Sequence, residues 1–271
     1  MRRLLIRPGA IGDCIVGFPA LEHLATDYTE LWVPSNVVPL VPFAQRVCSL
    51  ASTGIDLVGV GDLEMPSQLR AQLESFDSIV SWYGANRPEF RRALLHLGLP
   101  CEFHPALPPI VHPEHAIDFF ARQAGAPLHQ SPRIRIEKRS EPRNSVVIHP
   151  FSGSVLKNWP ESRYRELASK LKCEVEWTAG PEEKWPDATR FDNLAELAGW
   201  IAGARLYIGN DSGVAHLAAA TGIPVLVLFG PSPPQVWAPR GPNVTILVSD
   251  PLERLSLEIV LQTANRLLGF R

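Results

Sequence analysis

Leu206-Tyr207-Ile208-Gly209-Asn210-Asp211-Ser212-Gly213-Val214-Ala215-His216, continued through Gly222 to the apolar run Val225–Phe229, decides the fold. Leu206 to Gly209 is a short aliphatic run of strand type. Asp211 to Ala220 has helix periodicity, begins on capping residues and ends before Gly222, and Val225 to Phe229 reads as a buried strand. Strand, helix and strand with so little between them make a parallel crossover unit, and the turn after Gly209 lies where open α/β sheets place their ligands.

The same alternation extends outward in both directions, so the chain is α/β. Upstream in this half, Ser145 to His149 and Glu174 to Thr178 read as strands. Glu161 to Lys172 reads as a helix with Pro160 at its first position, and Asn193 to Ala204 as a helix capped by Asn193. In the first half the expected strands are Arg3 to Arg7, Glu30 to Pro34, Ile55 to Val60 and Ser78 to Tyr83. Phe90, Ala93, Leu94 and Leu97 line one helical face, as do Ile117, Phe120, Ala121 and Ala124. Between the halves, Pro127 to Arg143 holds three prolines, two Glu and five Arg or Lys, the composition of an exposed connection. The expectation is two facing Rossmann-like domains with a ligand between them: residues 1–135, residues 136–255, and a final helix, 256–271, packing back toward the first domain.

A length of 271 residues suits two domains, and 45% hydrophobic and 20% charged residues with mean hydropathy of +0.01 describe a globular chain. Lys+Arg 26 against Asp+Glu 28 gives a net charge of -2, so nothing draws the whole molecule to nucleic acid or an anionic membrane, and any anion must be met locally. The four cysteines form no C-x-x-C pair, which fits a reducing cytoplasm. Arg7 and Asp13 interrupt the apolar core that a signal peptide beginning Met1-Arg2-Arg3 would need, and no run approaches a membrane span.

Three loops carry candidate chemistry. At Asp211-Ser212-Gly213, free N–H groups at a helix start suit a diphosphate, Ser212 adds a hydroxyl and Gly213 permits close approach. The same residues also suit plain helix capping, and His216 reads equally as a ligand contact or a partly buried histidine. Asp211 alone would repel phosphate and suits a sugar hydroxyl. The loop His149 to Pro160 offers Ser154 and Lys157 to an anion without matching a Walker A motif. After the first strand, Arg7-Pro8-Gly9-Ala10-Ile11-Gly12-Asp13 lacks the G-x-G-x-x-G spacing; Asp13 is either a carboxylate at a helix start or a general base. Val58-Gly59-Val60-Gly61 has Glu64 where a third glycine belongs, which discounts a dinucleotide fingerprint. His104, His112 and His115 lack metal-site spacing. In Gly180-Pro181-Glu182-Glu183, a carboxylate after a strand could meet ribose hydroxyls.

In their order along the chain, these loops resemble the ADP-heptose lipopolysaccharide heptosyltransferases, glycosyltransferase family 9 with the GT-B fold. The resemblance rests on Leu4 to Asp13, His149 to Pro160, and Asn210 to Ser232, with Asp211 to Pro224 the most specific part. It implies an inverting glycosyltransferase, with no metal or other cofactor, that moves a heptose or related sugar from a nucleoside diphosphate, ADP-heptose by the family pattern. The acceptor would be a lipopolysaccharide-core or other surface glycan. It also implies Asp13 as catalytic base. Ser154, Lys157, Glu182, Asp211, Ser212, Gly213 and His216 would bind the donor, with Glu182 on the ribose, and Arg7 and Gly12 would contact phosphate or acceptor. The expected partners are the donor and a glycan or glycolipid acceptor, without nucleic acid, in the cytoplasm or peripherally at the inner-membrane face. A sugar-nucleotide epimerase or hydrolase, or a noncatalytic sugar-nucleotide binder, would use the same donor grip. Few basic residues stand near the loops of the first domain, so a small glycan acceptor is as open as a large lipid.

Overall fold

The computed structural model describes residues 1–61, 64–111, 113–136 and 139–270. The chain divides into two units, Met1–Gln130 and Ser131–Arg271.

The first unit runs β1 (Arg2–Ile6), α1 (Ile11–His23), β2 (Tyr28–Val33), β3 (Arg46–Ser49), α2 (Ser67–Glu74), β4 (Ser78–Ser81), α3 (Pro88–Leu95), β5 (Cys101–Phe103) and α4 (Ala116–Ala124). Its sheet has the order β3-β2-β1-β4-β5, parallel throughout. Leu4 and Ile6 of β1 join Leu69 and Leu73 of α2 and Phe90 and Leu94 of α3 in one core. Helices α1 and α4 pack against each other. Strand alternation thus sends every second side chain into a different layer. The order reverses between β1 and β4, so the loops after these strands border the switch point where open sheets bind ligands.

The second unit runs β6 (Ser145–His149), α5 (Glu161–Lys170), β7 (Glu174–Thr178), β8 (Ala188–Thr189), α6 (Leu194–Ile201), β9 (Leu206–Asn210), α7 (Gly213–Thr221), β10 (Val225–Phe229), α8 (Pro234–Trp237), β11 (Val244–Val248) and α9 (Leu257–Leu267). Its parallel order is β11-β10-β9-β6-β7-β8, with the reversal between β6 and β9. Val146, Ile148, Leu206 and Ile208 share a core with Tyr164 and Leu167 of α5 and Val260 and Ala264 of α9. The final helix, set apart in the sequence reading, is therefore part of the second unit's own core.

Three local expectations are corrected. Ile55–Leu57 is a 3-10 turn and not a strand. Gly54 and Gly59 bracket it in the left-handed region, φ 72 at each, and a Cβ on Gly59 would lie 2.7 Å from the backbone of α3. Pro160 is the residue before α5, extended at ψ 134. The stretch from Arg139 to Arg143 is not a loose connection. Arg139 donates to Ala202 O and Thr221 O, Ser140 N to Gly199 O, and Arg143 to Glu176 and Trp200 O, so these residues strap the second unit.

One glycine directly shapes the site end of the sheet. A Cβ on Gly209 would stand 2.5 Å from the Tyr207 hydroxyl and 3.0 Å from His149 O. Gly209→Ala is expected to cost about 1–3 kcal/mol by overpacking, read as a lower urea midpoint, and Tyr207→Phe in that background should recover part of the loss.

Candidate functional site

At the second unit's switch point, β9 ends on Asn210, whose carboxamide is fully buried. Its Oδ1 accepts from Trp159 N at 3.1 Å and the Tyr164 hydroxyl at 2.8 Å, while Nδ2 donates to Pro150 O at 2.8 Å. One side chain thus ties the loop after β6 and the start of α5 to the end of β9. Burial holds the Tyr164 phenol well above its usual range, so it stays a donor. Within the loop, the Ser152 hydroxyl engages Ser154 O and Asn158 Oδ1, both at 2.8 Å.

This anchoring brings the two second-unit candidate loops together. Lys157 Nζ, on a 3-10 turn at Val155–Lys157, donates to Asp211 Oδ2 at 2.8 Å. Asp211 is 7% exposed and Lys157 33%. Ser212 caps α7 and accepts from Ala215 N, which leaves the Gly213 and Val214 N–H groups of the first turn without intrahelical acceptors. A lysine ammonium beside open N–H groups at a helix start is a place for an anion. Ser154 lies at the start of the Lys157 turn, and His216 is buried on α7.

Glu182 and Glu183 separate in the structure. Glu182, the candidate for ribose, is exposed. Glu183 turns in, accepting from His149 Nε2 at 3.0 Å and Gly180 N at 2.6 Å. Burial raises the Glu183 pKa, but the hydrogen bond and charge of His149, the Gly180 N–H and Arg190 outweigh it and hold it below the usual carboxylate range. His149 is itself buried, with Nδ1 unpaired. Adjacent Glu residues are indistinguishable in sequence; what selects Glu183 is a histidine at the end of β6, thirty-four residues earlier.

In the first unit, Asp13 stands in the first turn of α1, with Oδ2 accepting from Ala10 N at 3.0 Å. Gly9, at φ 125, makes room for it, since a Cβ there would lie 2.7 Å from Asp13 Cβ. Gly12 occupies the same turn. Arg7, a candidate for phosphate or acceptor contact, is 1% exposed. It donates to Ala106 O at 3.3 Å and Asp13 O at 2.6 Å, and its guanidinium lies 4.1 Å from the Phe120 ring centre. Its place is beneath the loops as a strut. Cys14 beside it is inert, its thiol pushed up to about 12 by burial.

Of the loosely grouped histidines, His104 pairs with Glu102 and His115 caps α4, while His112 lies outside the described residues. Among the described residues no group of three or more His, Cys, Asp or Glu is placed to hold a metal, and no helix is long and apolar enough to cross a membrane.

Two doubly wound parallel units with these loops have the fold of the GT-B glycosyltransferases. A family model described as glycosyltransferase family 9 (heptosyltransferase) matches residues 114–259. Lipopolysaccharide heptosyltransferase 1 of Pseudomonas aeruginosa is 30% identical over 178 residues, 56% of this chain and 50% of that protein. The match therefore spans about half the length of that curated relative. E. coli ADP-heptose lps heptosyltransferase II has the same fold, with a TM-score of 0.74 over 99% of both chains at 17% identity. E. coli heptosyltransferase WaaC with ADP gives 0.70 over 98% of this chain and 100% of that one, also at 17%. The chain belongs to glycosyltransferase family 9, the heptosyltransferases.

Asn210→Ala would leave Tyr164, Trp159 and Pro150 groups unpaired in the interior, and should lower stability by roughly 3 kcal/mol or more, seen as a reduced urea midpoint. Because the folded-state pKa of Glu183 is depressed, its contribution is present above the unfolded value of about 4.3 and is lost as pH falls through the lower folded value. The stability advantage of the native chain over Glu183→Gln should therefore hold at neutral pH and shrink in acid; an advantage that grows on acidification would contradict this assignment.

Proposed function

We propose that this chain is an inverting, metal-independent glycosyltransferase. It moves a heptose or related sugar from a nucleoside-diphosphate donor, ADP-heptose in the first instance, to a lipopolysaccharide-core or other surface-glycan acceptor on the cytoplasmic side of the inner membrane. The observation that carries this reading is Lys157 held 2.8 Å from Asp211 at the open start of α7. The family membership, and the ADP named with the E. coli WaaC structure, support the donor class.

In this mechanism Asp13 takes the proton of an acceptor hydroxyl as its oxygen attacks the anomeric carbon from the face opposite the diphosphate. The bond from that carbon to the phosphate oxygen breaks, and the nucleoside diphosphate leaves with the bonding pair. Negative charge builds on the leaving oxygen, where Lys157, Ser154 and the Ser212 and Gly213 N–H groups meet it. Asp211 Oδ1 takes a donor-sugar hydroxyl while Oδ2 keeps Lys157 in place. Ribose recognition falls to the 180–183 turn, with Glu183 the better-held carboxylate and Glu182 at its rim. His216 supports the α7 start from within the helix.

Asp13→Ala should reduce transfer by about 10²–10⁴-fold, the usual worth of a general base, while ADP still raises the thermal midpoint. Lys157→Ala should weaken ADP stabilisation by about tenfold or more. Thermal shift with ADP, GDP and UDP, paired with product analysis on a donor and acceptor extract, tests both; undiminished turnover by Asp13→Ala would sink the mechanism.

A further inference from the structure

The first unit contains a cavity of about 460 Å³ lined by Trp82, Ala85, Asn86, Arg91, Phe103, Pro105, Ala106 and Leu107. That volume is in the range of small-ligand sites, roughly 300–1,000 Å³. It opens beyond the carboxyl ends of β4 and β5, the edge of a parallel sheet that takes ligands.

The walls are of two kinds. Trp82 and Phe103 give aromatic surface. Trp82 is fixed by Nε1 donating to Gln123 Oε1 at 2.7 Å and by the His104 ring 5.3 Å away, and Phe103 packs edge-on to Phe90. Against them stands Arg91, its guanidinium 5.4 Å from the Phe103 ring centre and, among the described residues, without a carboxylate within 4.0 Å. Asn86 is exposed at the rim. An arginine offers donors and no acceptor. A ligand that fits therefore has an apolar face for the rings and a negative group for the guanidinium.

The cavity is also joined to Asp13. Ala106, one of its lining residues, accepts a hydrogen bond from Arg7, and the same guanidinium holds Asp13 O. Whatever occupies the cavity lies on a wall fixed through one buried cation to the residue that deprotonates a hydroxyl. A ring with an apolar face, a hydroxyl to be deprotonated and a negative charge is an acidic sugar.

We propose that this cavity is the acceptor subsite and that it takes a sugar unit bearing a carboxylate or phosphate, stacked between Trp82 and Phe103 with its anionic group on Arg91. The inference rests on the transferase reading above and goes beyond it in assigning the acceptor's charge and its place. Saturation-transfer NMR on the full chain with methyl glucuronide, glucose 6-phosphate and neutral methyl glucoside tests it. At least one anionic sugar should bind about tenfold or more tighter than the neutral one, and the two anions separate carboxylate from phosphate recognition. Arg91→Ala should remove that preference, and Leu107→Trp, on a 62% exposed position, should block all three sugars. Equal binding of the neutral sugar, anionic binding that survives Arg91→Ala, or no saturation transfer from any sugar would overturn the proposal. Thermal stabilisation by ADP, measured on the same samples, separates the two levels. If ADP stabilises while the sugar results fail, only the subsite falls; if ADP does not stabilise, the transferase reading falls.

Discussion

The carboxamide of Asn210 is the constraint on which the second unit's site depends. It sits at the end of a buried strand and satisfies a carbonyl of the loop after β6, the N–H that opens the approach to α5, and a buried phenol. An amide is the one neutral side-chain group that offers donors and acceptors together in a fixed plane, so this position can close all three contacts without burying a charge. The consequence lies a few ångströms away. With the β6 loop pinned to β9, Lys157 is delivered to Asp211, and two segments more than fifty residues apart become one anion-compatible surface.

The first unit solves the corresponding problem with a cation. Arg7 reaches from the end of β1 to the loop after β5 and to the first turn of α1. Burial depresses its pKa, while the nearby Cys14 and Asp13 act in the opposite direction. Stacking on Phe120 covers one face of the guanidinium, and two backbone carbonyls take its donors. A charge so enclosed is a poor ligand for a substrate phosphate and a good brace. The residue's chemistry suggested contact with an anion; its depth assigns it to holding the loops that make the contact.

Much of this fold was legible because buried parallel strands and capped helices have short-range signatures. Ser145–His149, Glu174–Thr178 and Val225–Phe229 are apolar or β-branched runs between turns, and Gly222 ends α7 at φ 86 as its placement implies. The edges were not legible. β3 and β5 are four and three residues long, too short for alternation to register, and the apolar Ile55–Val60 run mimicked a strand until two left-handed glycines bent it. The site loops could be read as loops, and Lys157 and Asp211 as residues of interest. Their pairing could not be read, because it depends on a sheet register, His149 beside Gly209, that only the folded order of β6 and β9 creates. Asn210, inside the quoted motif, went unassigned for the same reason, since its three partners come from a segment fifty residues upstream. The Trp82–Phe103 cavity had no local signal, because its walls come from the ends of two strands and the loop that follows.

That pairing also resolves a conflict in the sequence, an aspartate beside a phosphate-compatible helix start. A nearly buried carboxylate without a partner is costly, and at this position it would repel a diphosphate. Paired with Lys157 it does the opposite, because it fixes an otherwise flexible ammonium where the donor arrives. An ammonium has three donor hydrogens, so it can keep Asp211 and still offer a proton to a phosphate oxygen. The pair is close to neutral before binding, and the helix start supplies the remaining positive potential. Removing the lysine therefore changes the sign of the local field as well as deleting one contact, which makes the aspartate's acceptability at this site conditional on the loop that Asn210 holds in place.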